Sequence, residues 1–224
     1  MPTEWNISII CPIHKKGDIM ECSSYRGVSL LNTPYKILSN ILFARISPFA
    51  ENIIGNYQCV FRKNRSKTNQ IFALRQILEK TNEFGIETRH LFIDFNSAYD
   101  TIKRDQLYDA MSEFNIPNKL IRLTRMTMEN TKGQVRIQSD LSDSIFTKKD
   151  LRQSDPLACL LFNLALKKVV RNAGNQTSGT IFYKSVADDI DIIARSRKAL
   201  KEAFLSLERA AGEMGLRINE KKAK

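Results

Sequence analysis

The chain has 224 residues, 42% of them hydrophobic and 8% aromatic, which is enough for one sizeable core. Lys and Arg outnumber Asp and Glu by 35 to 24, and the net charge of +11 points to a polyanionic partner, nucleic acid or an anionic membrane. Four cysteines without a C-x-x-C pair and two histidines argue against a structural zinc site or a disulfide framework, and no apolar run approaches the ~20 residues of a membrane span.

Met1-Pro-Thr-Glu-Trp5 lacks the basic and apolar regions of a signal peptide. The expected setting is therefore intracellular, nucleus or cytoplasm, with nucleic acid rather than lipid as the partner. No repeat, low-complexity tract or Pro/Gly-rich linker divides the chain, so it reads as one domain.

In chain order, Ile7 to Ile13 reads as a short strand in an otherwise irregular or strand-like first thirty residues. Thr33-Pro34 supplies an N-cap and a first-turn proline, and Ile37, Leu38, Ile41, Leu42 and Ile46 follow at helical spacing up to Pro48. A second helix is expected over Thr68 to Glu83, with Ile71, Leu74, Ile77 and Leu78 on one face. His90 to Phe95 reads as a buried strand containing an acid.

Two helices, Arg104 to Asn115 and Asn118 to Glu129, are separated by Pro117. Gln134 to Ser139 and Ser144 to Thr147 are expected to pair as a hairpin across Asp140 to Asp143. Leu157 to Val170 is a strongly apolar helix behind Asp155-Pro156. Thr180 to Val186 and Ile190 to Ala194 read as a strand pair hinged on Asp188 and Asp189. Arg197 to Met214 is an amphipathic helix ended by Gly215. This order implies an α+β sheet with helices packed against one face.

The acids raise the chemical question. Asp94 stands in an apolar strand, and Asp188-Asp189 stand between two more. Adjacent residues of a strand face opposite sides, so both acids share a site only if they occupy a turn. If that hairpin lies beside the Asp94 strand, carboxylates 94 residues apart in the chain converge into a hard oxygen set suited to Mg²⁺. Two such ions stabilise the attacking and leaving oxygens of a phosphoryl transfer. Spacing alone leaves a plain hairpin turn and a metal site equally open.

Six ordered segments move that balance. I-I-C-P-I-H-K-K-G-D with S-S-Y-R-G-V-S-L-L-N-T-P-Y-K-I, then Q-C-V-F-R-K-N-R-S-K-T-N-Q-I-F, F-I-D-F-N-S-A-Y-D, L-R-Q-S-D-P-L-A-C-L-L-F-N, V-A-D-D and G-L-R-I-N-E-K-K follow one another along nearly the whole chain. Together they resemble the reverse transcriptase domain of non-LTR (LINE-like) retrotransposons. The resemblance implies a right-hand polymerase copying RNA into DNA. Its fingers region would cover roughly residues 1–88. Residues 89–224 would be mainly an antiparallel palm sheet with some fingers elements, and neither thumb nor endonuclease would be present.

By that resemblance Asp94 and Asp188 bind two Mg²⁺ ions, with Mn²⁺ as an alternative, and Asp189 supports the site. Tyr99 matches the aromatic under the nucleotide sugar that leaves no room for a 2′-hydroxyl, Gln153 a glutamine touching the incoming nucleotide, and Lys222 a lysine that protonates the departing pyrophosphate. Lys222 reads equally well as a terminal lysine with no such role. Arg62, Lys63, Arg65 and Lys67, with Arg26, are candidates for triphosphate or template phosphates. The implied partners are an RNA template, a DNA primer and deoxynucleoside triphosphates.

The chain departs from the family pattern at several positions. Val186 replaces the tyrosine of Y-A-D-D, Ser154 and Asp150 replace glycines around R-Q-G-D, and Val60 and Asn64 stand where glycine is preferred. Ala158-Cys159 replaces Ser-Pro. With the carboxylates intact, these changes imply a truncated or decayed copy with weak or no polymerase activity of its own. Two other readings compete: a two-metal nuclease or phosphotransferase, which has no use for Tyr99 or R-Q-x-D-P, and a catalytically inactive basic RNA-binding module on a palm-like sheet.

Overall fold

The computed structural model describes residues 1–55, 58, 66–147, 151–152, 155–174, 180–186 and 189–220, leaving aside the side chains of Lys67 and 180–186. Strand β1 (Ile7–His14) and strand β2 (Tyr25–Leu31) open the chain, followed by α1 (Thr33–Ile53) and α2 (Lys67–Glu83). Then come β3 (Arg89–Ile93), α3 (Ala98–Thr101), α4 (Arg104–Glu113), α5 (Asn118–Met128), β4 (Lys132–Ile137), β5 (Asp140–Leu141) and β6 (Ile145–Phe146). Helix α6 (Pro156–Ala173), β7 (Thr180–Val186), β8 (Asp189–Ala194) and α7 (Arg197–Met214) complete it.

The strands form two sheets. In the larger, β1 pairs antiparallel with β2 and parallel with β4, which also pairs with β5 and β6. The smaller is antiparallel in the order β3-β8-β7. The core is built on α6, whose Leu157, Leu161, Phe162 and Leu164 are wholly buried. It meets α1, α4 and α7, and α7 in turn lies across all three strands of the smaller sheet. A helix apolar on nearly every face can be accommodated only at the centre of such a stack.

Several expectations are refined by this packing. Helix α1 runs through Pro48 to Ile53 instead of stopping there. Pro48 is on the solvent side, where water can satisfy the carbonyl that loses its partner, while Ile46 and Ala50 on the core side are fully buried. Ser47 Oγ donates to the Phe43 carbonyl at 2.7 Å just before the proline. Helix α2 forms where expected, capped by Ser66, but Ile71 and Leu78 are exposed and Gln70 is buried instead. The hairpin expected across 140–143 turns earlier, with Arg136 paired to Leu141 and Gln138 at φ 56°. In β3 the burial is narrower than expected: Ile93 is buried but Phe92 is exposed.

Candidate active site

The register of the smaller sheet sets the geometry. Phe92 pairs with Asp191 and Ile93 with Ile190, the last pair of the ladder, so Asp94 and Asp189 each lie one residue beyond it at the same sheet end. Both acids are half-buried. On the other side of β8, Val186 pairs with Asp189 across a register shift. Strands β7 and β8 do pair beside β3, but Asp189 opens β8 and is not part of a turn, and Asp94 follows β3. Asp188, between Val186 and Asp189 in the chain, is outside the described residues.

Past Asp94 the backbone turns sharply. Ser97 sits at φ 43°, ψ 51°, a left-handed conformation uncommon for serine, and α3 starts at once behind it. This turn delivers Tyr99 against α6, where its ring stacks on Phe162 at 4.7 Å between centroids and 20° between planes. The Tyr99 hydroxyl lies 3.9 Å from Cys159 Sγ, and the Tyr99 carbonyl accepts from the Leu151 amide at 2.8 Å.

Arg152 and Asp155 of the R-Q-S-D-P segment are anchors. Asp155 is buried and caps α6 by accepting from the Leu157 amide at 3.1 Å; it also accepts from Tyr35 Oη at 2.9 Å and from Ser39 Oγ, both on α1. Arg152, buried too, stacks its guanidinium 4.2 Å from the Tyr35 ring centre and donates to the carbonyls of Trp5 and Asn6. These contacts tie Arg152 to the start of the chain and to α1. Neither Tyr35 nor Ser39 was singled out in the sequence, although Tyr35 belongs to the N-T-P-Y-K-I segment.

The G-L-R-I-N segment closes against Asp94. The Asn219 amide donates to the Asp94 carbonyl at 2.8 Å, Asn219 Nδ2 lies 3.4 Å from Asp94 Oδ2, and the Asn96 amide donates to the Arg217 carbonyl at 2.8 Å. Phe95 and Ile218 form an antiparallel bridge between these bonds. Gly215 makes the approach feasible: its φ is 94°, and a Cβ there would meet the Thr101 carbonyl oxygen at 2.4 Å.

A third acid of the same stretch, Asp191, was not weighed from sequence. It is buried, its Oδ2 lies 3.2 Å from His90 Nδ1, and its Oδ1 has no hydrogen-bond partner among the described residues. Burial pushes its carboxyl above the usual carboxylate range, and the contact with His90 draws it part of the way back. The alternation D-x-D along a strand was the available signal.

Asp94 and Asp189 are hard, half-buried oxygen donors at a sheet end, a set that fits a divalent cation. Among the described residues no group of three metal-ligating side chains comes together. Arg26 is exposed on β2, opposite Ile13, in the other sheet. Gln153, Lys222, Arg62, Lys63 and Arg65 fall outside the described residues.

Residues 13–224 match the sequence model of the family described as reverse transcriptase (RNA-dependent DNA polymerase). The chain belongs to the reverse transcriptase family. The resemblance to a retrotransposon enzyme is also carried by its relatives. A Xenopus laevis protein, the transposon TX1 uncharacterized 149 kDa protein, is 22% identical over 231 residues, covering 100% of this chain and 18% of that protein. A Pol polyprotein of the type-1 retrotransposable element R2 from Nasonia vitripennis is 24% identical over 218 residues, covering 94% and 21% respectively. The reverse transcriptase chain thus spans about a fifth of the length of these relatives.

Among solved structures, telomerase from Candida albicans in complex with a TWJ fragment of telomeric RNA superposes with a TM-score of 0.71 at 12% identity, over 100% of this chain and 43% of that one. Apo telomerase from Candida tropicalis, lacking its C-terminal domain, gives 0.69 at 13%, over 98% and 50%. The fold is therefore that of right-hand polymerase fingers and palm. Members of the reverse transcriptase family use divalent metal ions and bind an RNA template and a primer. No described helix is long and apolar enough to cross a membrane.

Proposed function

We propose that the chain is the polymerase domain of a LINE-like retrotransposon protein, extending a primer with deoxynucleotides on an RNA template. The observation that carries this is the β3–β8 ladder, whose last pair, Ile93 with Ile190, brings Asp94 and Asp189 to one sheet end, with Tyr99 five residues beyond Asp94 stacked on Phe162. Residues 1–88 act mainly as fingers and 89–224 mainly as palm.

Asp94, Asp188 and Asp189 hold Mg²⁺ in this reading, and the ions supply Lewis-acid stabilisation of the attacking and leaving oxygens. The chain's own residues do the rest. Tyr99, braced on Phe162, presents a flat wall to the sugar and excludes a 2′-hydroxyl. Gln153 contacts the nucleotide, and Lys222 gives a proton to the departing pyrophosphate. Arg26, Arg62, Lys63 and Arg65 neutralise triphosphate or template phosphates, in keeping with the +11 charge.

Primer extension on an RNA template tests the proposal. Mg²⁺-dependent DNA synthesis is expected, falling by at least about 10²-fold in Asp94→Asn and in Asp188→Asn, as loss of several kcal/mol of charge stabilisation requires. RNA binding that persists without any synthesis, indifferent to Mg²⁺ and to Asp94, would instead mark a binding module.

A further inference from the structure

We infer that the cavity between the start of α4 and the end of α5 is a phosphate site, in which the Tyr108 hydroxyl and the Arg125 guanidinium together hold a phosphate group of a ribonucleotide. The cavity shares no residue with the site built on Asp94 and Asp189, and it stands whether or not those acids hold metal.

The cavity has a volume of about 400 Å³. Lys103, Arg104 and Arg125 line it against Asp105 and Glu129, three cations to two carboxylates, so its walls keep an excess of positive charge. Helix α4 opens onto it with no side chain capping its first turn, which adds the positive end of a helix dipole. Arg104 already donates to the Met128 carbonyl and to Thr131 Oγ1, closing the end of α5. Arg125 has no such commitment. Its exposed guanidinium lies 4.7 Å from the centre of the Tyr108 ring and makes no hydrogen bond or ion pair among the described residues.

Tyr108 is the observation that points to a ligand. It is only 5% exposed, yet its hydroxyl has no hydrogen-bond partner among the described residues and is not sealed off from the cavity that the residue lines. A buried tyrosine hydroxyl ordinarily has a partner. Neither Asp105 nor Glu129, both exposed, accepts from it. Burial pushes its pKa up to about 12 against the pull of Arg104 and Arg125, so at neutral pH the hydroxyl is a donor waiting for an acceptor. A guanidinium over the same ring adds donors in the fork that matches phosphate oxygens. On a chain of net charge +11, the anion these donors suit is the phosphate of a nucleotide, free or within a strand.

The test uses the 224-residue chain and two probes. A short single-stranded oligouridylate is followed by fluorescence anisotropy across salt concentrations, and uridine 5′-monophosphate by equilibrium dialysis. Tyr108→Phe removes only the hydroxyl, which has no partner inside the described fold, so urea unfolding should show stability retained. Binding should weaken by about tenfold, the scale of a hydrogen bond to a charged group. Arg125→Ala should lower the slope of log K against log salt by about 0.7, as loss of one contact to a single strand requires. A loss with oligouridylate alone identifies a strand phosphate, a loss with the monophosphate alone a free nucleotide, and a loss with both a site open to either. Wild-type affinity of Tyr108→Phe for both probes overturns the proposal, even where Arg125→Ala weakens RNA binding, since an exposed arginine also serves diffuse attraction. Failure of the wild-type chain to bind either probe overturns it as well.

Discussion

Asp155 is the acid whose removal the structure condemns most clearly, although nothing in the proposed chemistry uses it. It is 3% exposed, and its carboxylate accepts from three donors: the Leu157 amide, Tyr35 Oη and Ser39 Oγ. Tyr35 and Ser39 are themselves 1% and 0% exposed, so no water can replace the lost acceptor. In Asp155→Ala the helix cap costs about 1 kcal/mol. Loss of the Ser39 and Tyr35 bonds adds about 1–3 kcal/mol each, and with the usual failure of additivity among neighbours the total is about 3–5 kcal/mol.

That is a large share of the roughly 5–15 kcal/mol that holds a domain together. Tyr35→Phe removes one donor and strands nothing but a carboxylate that keeps two others, so it should cost only about 1–2 kcal/mol. In the double variant the Tyr35–Asp155 bond is lost only once, and the two losses should fall short of their sum by about 1–2 kcal/mol. Urea unfolding followed by circular dichroism measures all three. A loss under about 1 kcal/mol for Asp155→Ala, or strict additivity with Tyr35→Phe, would refute the argument.

Three further outcomes follow from the same geometry. Asp191→Asn should raise stability at neutral pH: the folded state holds the Asp191 proton more tightly than the unfolded one, so stability falls as pH climbs from the ordinary carboxylate range through the raised value, and the variant should lose that slope in thermal melts collected across pH. Gly215→Ala should destabilise by about 2–3 kcal/mol, combining a left-handed φ with a backbone collision at Thr101; chemical unfolding showing no change would mean that the α7 terminus yields freely. Phe162→Leu removes the ring on which Tyr99 stacks and should relax discrimination against ribonucleotides, with Tyr99→Ala relaxing it by about tenfold or more in competitive primer extension. Unchanged discrimination in Tyr99→Ala would remove the tyrosine from the sugar site.

Sequence by itself determined the elements and the family. Sequence pattern located α1, α2, α4, α5, α6 and α7 along the chain, although the apolar positions Ile71 and Leu78 of α2 proved to be exposed. The apolar runs around Asp94 and Asp188-Asp189 identified strands carrying acids, and six motifs in order pointed to a reverse transcriptase. Gly215 was legible as the end of α7, since the left-handed conformation that ends a helix selects glycine locally.

Tertiary structure alone decided which distant residues meet. Ile7 to Ile10 run parallel to Lys132 to Val135, a pairing more than a hundred residues apart that no local pattern encodes. The passage of α1 through Pro48 depends on that proline facing water. The union of Asp155 with Tyr35 and Ser39, the burial of Asp191 against His90, and the grip of Asn219 on Asp94 are all of this kind. Each is a hydrogen bond between residues 101 to 125 positions apart, apart from the cap at Leu157. A donor and an acceptor declare their chemistry in the sequence, but their distance is set only when α6, α7 and the two sheets pack.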